Sequence, residues 1–317
     1  MIKKRPMVIL TGPTAVGKTA LSIELAKKIN GSIISADSMQ VYRHMDIGSA
    51  KVMPEEMDGV RHYLIDEFEP DEEFHVVKFV ERAKEHLEEI YAEGKIPIIA
   101  GGTGFYIQAL LYDIDFTEQE CDEAYRAELE QLAVEKGADY LHNMLREVDP
   151  ASADAIHANN IKRVIRALEF YHLSGRRISE HNEKEREKAS PYHFAYFVLT
   201  DERPHLYANI DKRVDLMIEQ GLVDEVQKLK NMGFHRDMVS MQGLGYKEIL
   251  DYLDGKTTLE EAIYIIKRET RHFAKRQLTW FRRERDVIWL DKQAYNYQDA
   301  KILDSMINIL KEKTIIN

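Results

Sequence analysis

The sequence contains one cysteine, Cys121, so it can form neither an internal disulfide nor a thiolate metal cluster. That usage fits a reducing compartment, and the expected location is the cytoplasm. No stretch approaches the roughly 18 apolar residues that span a bilayer as a helix, so no membrane partner is expected. Lys3-Lys4-Arg5 is basic, but the apolar run behind it is short and leads straight into a glycine-rich loop, which excludes a signal peptide. Internal repeats and low-complexity tracts are missing too. So is overall positive charge: the net charge is -11, which argues against a surface given over wholly to nucleic acid.

What is present begins at Gly12. Residues Gly12-Pro13-Thr14-Ala15-Val16-Gly17-Lys18-Thr19 match the pattern G-x-x-x-x-G-K-[ST] between a short apolar run, Pro6 to Leu10, and a helical one, Ala20 to Ala26. The glycines let the backbone curl until several amides converge at a helix N-terminus, where partial positive charge favours an anion. Lys18 adds a full charge for terminal phosphates, and the Thr19 hydroxyl suits Mg²⁺. The motif implies a bound di- or triphosphate without naming it. No apolar strand ends in the aspartate pair typical of switch-type ATPases, and no arginine-rich lid follows a kinase layout. The loop is therefore expected to hold a leaving group rather than to drive hydrolysis.

A length of 317 residues allows about two domains. Four more strand-like runs follow the first: Gly31 to Ala36, Lys95 to Ala100, His193 to Leu199 and Val287 to Leu290. Near-continuous apolar strands separated by helix-length segments, such as Phe74 to Tyr91, predict a parallel sheet covered on both faces. The fold class expected is α/β, a P-loop-containing doubly wound parallel sheet with its site at the carboxyl ends of the strands. Between about Glu118 and Ser190 the strand rhythm stops. Tyr125 to Val134, Tyr140 to Glu147 and Asn160 to Leu173 read as helices, with breaks at Asp149-Pro150 and Ser174-Gly175, while His181 to Lys188 is charged and poor in core residues. An all-helical insertion over residues 118–190 is expected within a core formed by residues 1–117 and 191–317.

Asp37 lies just past the second strand, beside the phosphate loop in an open parallel sheet. It could hold Mg²⁺, act as a base or cap a turn. Gly101-Gly102-Thr103-Gly104 offers either a close backbone approach to a ligand or a tight strand-to-helix turn. Arg213, on a helix starting near Pro204, could reach diphosphate oxygens or form a surface ion pair. From Lys267 to Arg285 there are eight Lys or Arg and two acids, a local patch suited to polyanions.

Several segments, in order along almost the whole chain, resemble the tRNA dimethylallyltransferase family. They are the P-loop, Asp37-Ser38-Met39-Gln40-Val41-Tyr42-Arg43 with Met45-Asp46-Ile47-Gly48, and Gly101 to Tyr106. Arg163 to Glu169, Gly243-Leu244-Gly245-Tyr246-Lys247-Glu248 and Thr270 to Arg282 complete the resemblance. Departures are small: Val16 stands where Ser is common, and Gln242-Gly243 where other small residues occur. The end at Asn317, without the zinc-finger extension of eukaryotic relatives, implies a bacterial-type member.

The resemblance implies transfer of a dimethylallyl group from dimethylallyl diphosphate to N6 of adenosine 37 in tRNA. By correspondence Asp37 is the general base, acting with Lys18, Arg213 and Thr103. The diphosphate would be held by Gly12, Thr14, Ala15, Val16, Gly17, Lys18, Thr19 and Arg213, with Mg²⁺ near Thr19. The tRNA would be met by Asp37, Ser38, Met39, Gln40 and Thr103, by Lys162, Arg163, Val164, Ile165 and Arg166, and by Gln242, Gly243, Leu244, Gly245, Tyr246 and Lys247. Arg126, in the helical insertion, would help grip the anticodon stem-loop, and a monomer is expected. A P-loop kinase of a small metabolite and a non-enzymatic nucleotide-dependent RNA-binding module are the alternatives. An adenylate isopentenyltransferase is disfavoured by the large insertion.

Overall fold

The computed structural model describes residues 4–114 and 122–317. Lys3, Cys121 and the expected start of the insertion at 118 lie outside the described residues. The chain divides into two compact units, one of Met1–Leu110 with Pro191–Asn317 and one of Leu111–Ser190.

Among its described residues the first unit is built on six parallel strands: β1 (Arg5–Thr11), β2 (Gly31–Ser35), β3 (His62–Tyr63), β4 (Ile96–Gly101), β5 (Tyr192–Thr200) and β6 (Val287–Asp291). Their order across the sheet is β3-β2-β4-β1-β5-β6. Strand β1 is central, with Val8 opposite Ile98 on one side and Ala195 on the other. The chain leaves β1 toward β2 on one side and later crosses to β5 on the other. A crevice therefore opens at the carboxyl end of β1, where the phosphate loop begins. The two-residue β3 carries no periodic signal of its own.

Helix α1 (Lys18–Ile29) connects β1 to β2, α2 (Val76–Ala92) precedes β4, and α3 (Gly104–Leu111) follows it. Alternation along the strands places Val8, Leu10, Ile33, Ile98, Phe197 and Leu199 in one core cluster with Leu21, Leu25 and Ile29 of α1. Strand residues of the opposite parity, among them Ile9, Ile34, Ile99 and Val198, are fully or almost fully buried as well. Each such side chain contributes roughly 1.5–3 kcal/mol on leaving water, which fixes the register at the sheet edge where the site lies.

Among its described residues the second unit holds five helices: α4 (Glu123–Lys136), α5 (Ala138–Val148), α6 (Pro150–Ala155), α7 (Ile161–Ser174) and α8 (Ile178–Glu187). The breaks read from the sequence are real. Asp149 caps α6 by accepting from the Ser152 amide, and Gly175 ends α7 in the left-handed conformation. The charged stretch from His181 lies in α8. The core of this unit includes Leu129, Leu141, Leu145, Val164, Ile165 and Leu168.

The chain then returns to the first unit through α9 (Arg203–Glu219), α10 (Leu222–Asn231), α11 (Tyr246–Leu253), α12 (Leu259–Phe281) and α13 (Asp299–Glu312). Residues Ile302, Met306 and Leu310 of α13 join the cluster that α1 helps to build. Among the described residues no helix is long and apolar enough to cross a membrane.

Candidate active site

The phosphate loop runs from the end of β1 into α1. Gly12 has φ of 144°, and a Cβ there would lie 2.2 Å from the Leu199 carbonyl oxygen, so the first position of the motif admits no side chain. Ala15 and Gly17 also have positive φ, and Gly17 is the residue that caps α1. This backbone aims the helix N-terminus into the crevice.

Lys18 and Arg213 meet there. The Lys18 ammonium donates to the Pro13 carbonyl at 2.8 Å, and Arg213 Nη1 donates to the Thr14 hydroxyl at 3.3 Å. Desolvation, and then the charge of Arg213, lower the Lys18 pKa to about 7. Desolvation likewise lowers that of Arg213, while Asp37 and then Glu56 pull it back up. Two partly buried cations lining one crevice repel each other, a repulsion that an anion placed between them would relieve.

Of the cavities beside this loop, one of about 310 Å³ is lined by Ala15, Gly17, Lys18, Thr19 and Arg213, and two others reach Asp37. The smaller of these two, of about 100 Å³, is lined by Thr14, Lys18, Thr19, Asp37, Gln40 and Arg213 among others. The larger, of about 560 Å³, is lined on one wall by Asp37, Ser38, Met39, Thr103 and Tyr106. Its other walls include Gln242, Gly243, Leu244, Lys247, Phe273 and Arg276. Thr14, Asp37, Arg213 and Gln277 border both. The Asp37 carboxylate accepts from the Met39 amide at 2.8 Å, so the turn-capping reading holds as geometry alongside its place at the cavities.

The loop after β2 is held by two charged side chains. Buried Lys51 donates to the Tyr42 carbonyl at 2.7 Å, to Asp46 at 2.6 Å and to Asp66 at 2.5 Å. The Glu225 carboxylate, on α10, accepts from the amides of Asp46, Ile47 and Gly48 at 2.8–3.1 Å and from the Tyr246 hydroxyl at 2.8 Å. Glu225→Ala is expected to destabilise the fold by about 1–3 kcal/mol, since those donors lose their acceptor. Urea unfolding reads this, and a loss below about 0.5 kcal/mol would mean that water replaces the carboxylate fully.

Not every residue singled out from the sequence offers its side chain. Val16 and Tyr246 are buried, Tyr246 completely, and Gly245 is buried beside it. In the second unit Val164 and Ile165 are core residues, leaving Lys162 and Arg163 exposed and Arg166 half-buried. Arg126 and Arg166 both reach the fully buried Glu169 carboxylate, at 2.8 and 3.4 Å. The basic segment on α12 is also partly neutralised. Lys267 pairs with Asp215 at 2.6 Å and Arg271 with Asp211 at 2.5 Å, both partners on α9, while Lys275, Arg276, Arg282 and Arg283 are exposed.

Glu225 belongs to no motif, and Gln277 lies in the Thr270–Arg282 stretch with no role of its own assigned. Gln277 bonds to residues 263 and 175 positions away, a relation that no local pattern carries.

A parallel sheet with a phosphate loop at its switch point defines a P-loop α/β protein. The model of the IPP transferase family matches residues 40–284. A tRNA dimethylallyltransferase of Lachnoclostridium phytofermentans is 66% identical over 98% of this chain and 99% of its own length. One from Clostridioides difficile is 54% identical, covering 94% of this chain and 95% of its own. Among solved structures, the tRNA isopentenylpyrophosphate transferase of Bacillus halodurans is 46% identical, with a TM-score of 0.73 and 98% of each chain covered. A eukaryotic dimethylallyltransferase acting on tRNA is 31% identical with a TM-score of 0.77, covering 90% of this chain and 74% of that one. The chain belongs to the IPP transferase family, that of the tRNA dimethylallyltransferases.

Proposed function

We propose that this chain moves the dimethylallyl group of dimethylallyl diphosphate onto N6 of adenosine 37, in the anticodon loop of tRNA. The observation that carries this reading is the position of Asp37, which borders both the narrow cavity with Lys18 and Arg213 and the wide one. In the reaction the C1–O bond to diphosphate breaks, the N6–C1 bond forms, and the N6 proton passes to the Asp37 carboxylate. An exocyclic amine conjugated with a purine is a poor nucleophile, so it needs that base. The loop amides, Lys18 and Arg213 stabilise the charge that grows on the departing diphosphate.

The oxygen donors present suit a hard cation shared with the substrate. The exposed Thr19 side chain borders the narrow cavity, and among the described residues no cluster of three or more His, Cys, Asp or Glu forms a metal cage. Mg²⁺ held by the Thr19 hydroxyl and diphosphate oxygens would add positive charge at the leaving group.

The target base must leave its stack to reach Asp37, and the wide cavity has room for it. Ser38, Met39, Gln40, Thr103 and the segment from Gln242 to Lys247 would surround it. Arg126, Lys162, Arg163 and Arg166 of the second unit would take anticodon-stem phosphates, with Val164 and Ile165 holding that helix in place from its core side. We assign the work to a cytoplasmic monomer. Turnover with tRNA, Mg²⁺ and either dimethylallyl diphosphate or ATP tests the reading. Diphosphate release is expected with the first donor only, and ATP consumption without prenyl transfer would establish a kinase.

Lys18 makes donor binding pH-dependent. Its pKa of about 7 in the free protein rises when the anion arrives, so binding takes up a proton at higher pH. Affinity for dimethylallyl diphosphate is expected to fall above pH 7, by up to about tenfold per pH unit, and Lys18→Arg should flatten the slope. Calorimetric titration across that range checks it. A flat profile in the unaltered protein would contradict it.

A further inference from the structure

Gln277 sits on α12, 7% exposed, between the two cavities that reach Asp37 and bordering both. Its side-chain amide is used at both ends. Oε1 accepts from the backbone amide of Thr14 at 2.9 Å, and Nε2 donates to the Gly102 carbonyl at 2.9 Å. It thus ties the phosphate loop to the turn after β4, and it does so from a third segment of the chain. Gly102 leaves it the space: a Cβ there would lie 2.2 Å from Nε2.

The consequences reach the reacting groups on both sides. Thr14, held by its amide, presents its hydroxyl to Arg213, one of the two cations of the narrow cavity. Gly102 directly precedes Thr103, which borders the wide cavity and whose amide donates to the Ala36 carbonyl, one residue before Asp37. We infer that Gln277 is a positioning residue for prenyl transfer, holding the leaving-group side and the base side of the site at a fixed separation. The inference rests on the reading under Proposed function. A reacting amine and a breaking C–O bond must be aligned to within a fraction of an ångström, and misplacement by about 1 Å costs on the order of 10²-fold in rate.

The two hydrogen bonds need one acceptor and one donor on the same planar group. An amide has both, as does a protonated carboxyl, whereas a carboxylate turns a lone pair toward the Gly102 carbonyl. A thioether of similar volume has no donor at all. Substitution therefore separates the hydrogen-bonding role from space filling.

The test compares Gln277→Met and Gln277→Glu with the unaltered full-length chain, using tRNA, dimethylallyl diphosphate and Mg²⁺. Gln277→Met is expected to lower the single-turnover rate at saturating substrates by about 10- to 100-fold, with tRNA affinity changed by less than about twofold. Gln277→Glu is expected to regain activity relative to Gln277→Met as the pH falls from about 8 to 6, as its carboxyl takes up the proton that restores the donor. Lys18, Asp37, His62 and Arg213 line the narrow cavity, and Lys247, Glu269 and Arg276 the wide one. All are common to both variants, so the ratio of the two reports the introduced carboxyl.

A Gln277→Met rate within about twofold of the unaltered protein would overturn the inference. So would a ratio that stays constant with pH, which would reduce Gln277 to packing. Should Gln277→Met not fold, the pH profile of Gln277→Glu against the unaltered protein decides alone: a relative gain at low pH supports the inference and parallel profiles refute it. An unaltered protein that transfers no prenyl group would instead sink the proposed reaction, a result distinct from either.

Discussion

Asp37→Asn is expected to lower turnover by about 10²–10⁴, the range for loss of a positioned base, while tRNA affinity stays nearly constant. The amide keeps the size of the carboxylate, and its oxygen can still accept from the Met39 amide, so the turn after β2 should persist. Lys51 and Glu225 anchor the rest of that loop independently. What the variant lacks is a group able to take the N6 proton. Single-turnover rates with saturating donor, alongside tRNA binding, separate the two roles. Turnover within about threefold of the unaltered protein would remove Asp37 from proton transfer and leave it a turn cap.

Lys18→Ala is expected to cost about 10²–10³ in the chemical step and to weaken donor binding as well. The donor complex holds Lys18 as the cation, and its attraction to the diphosphate grows as negative charge accumulates there during C–O cleavage. Arg213 remains in the variant and is relieved of a like charge, so binding should survive in weakened form. Rates measured at saturating donor isolate the chemical step. If only the apparent donor affinity fell, Lys18 would be a ground-state anchor.

The parts of this molecule legible in its sequence are those with local signatures. The P-loop is one, since the conformations of Gly12 and Gly17 and the charge of Lys18 all sit within eight consecutive residues. Long apolar strands such as Tyr192–Thr200 are another. The two-residue β3 has no period to detect, and it exists because β2 offers it an edge. Contacts between distant segments stayed hidden. Eight basic residues between Lys267 and Arg285 read as a patch, but Asp211 and Asp215 on α9 neutralise two of them in space. Glu225 looks like an ordinary helix residue, and Gln277 is marked only by its segment, until the groups they meet are brought to them.

Resemblance marks a segment as important without saying which side chains face outward. Within Lys162 to Arg166 the helical period already divides the residues, since Val164, Ile165 and Leu168 share the face that packs inward. Tyr246 is different. Its ring is buried against Gly48 and its hydroxyl donates to the Glu225 carboxylate, pairings that span 198 and 21 residues.

The most direct measurement is mass spectrometry of the nucleosides from tRNA incubated with this protein, Mg²⁺ and dimethylallyl diphosphate. Position 37 would be confirmed on an isolated anticodon-loop fragment. The predicted result is one added C5H8 unit on adenosine 37, absent when Asp37→Asn replaces the unaltered protein over the same short incubation. Unmodified adenosine 37 in tRNA that the protein demonstrably binds, with donor present and intact, would contradict the account.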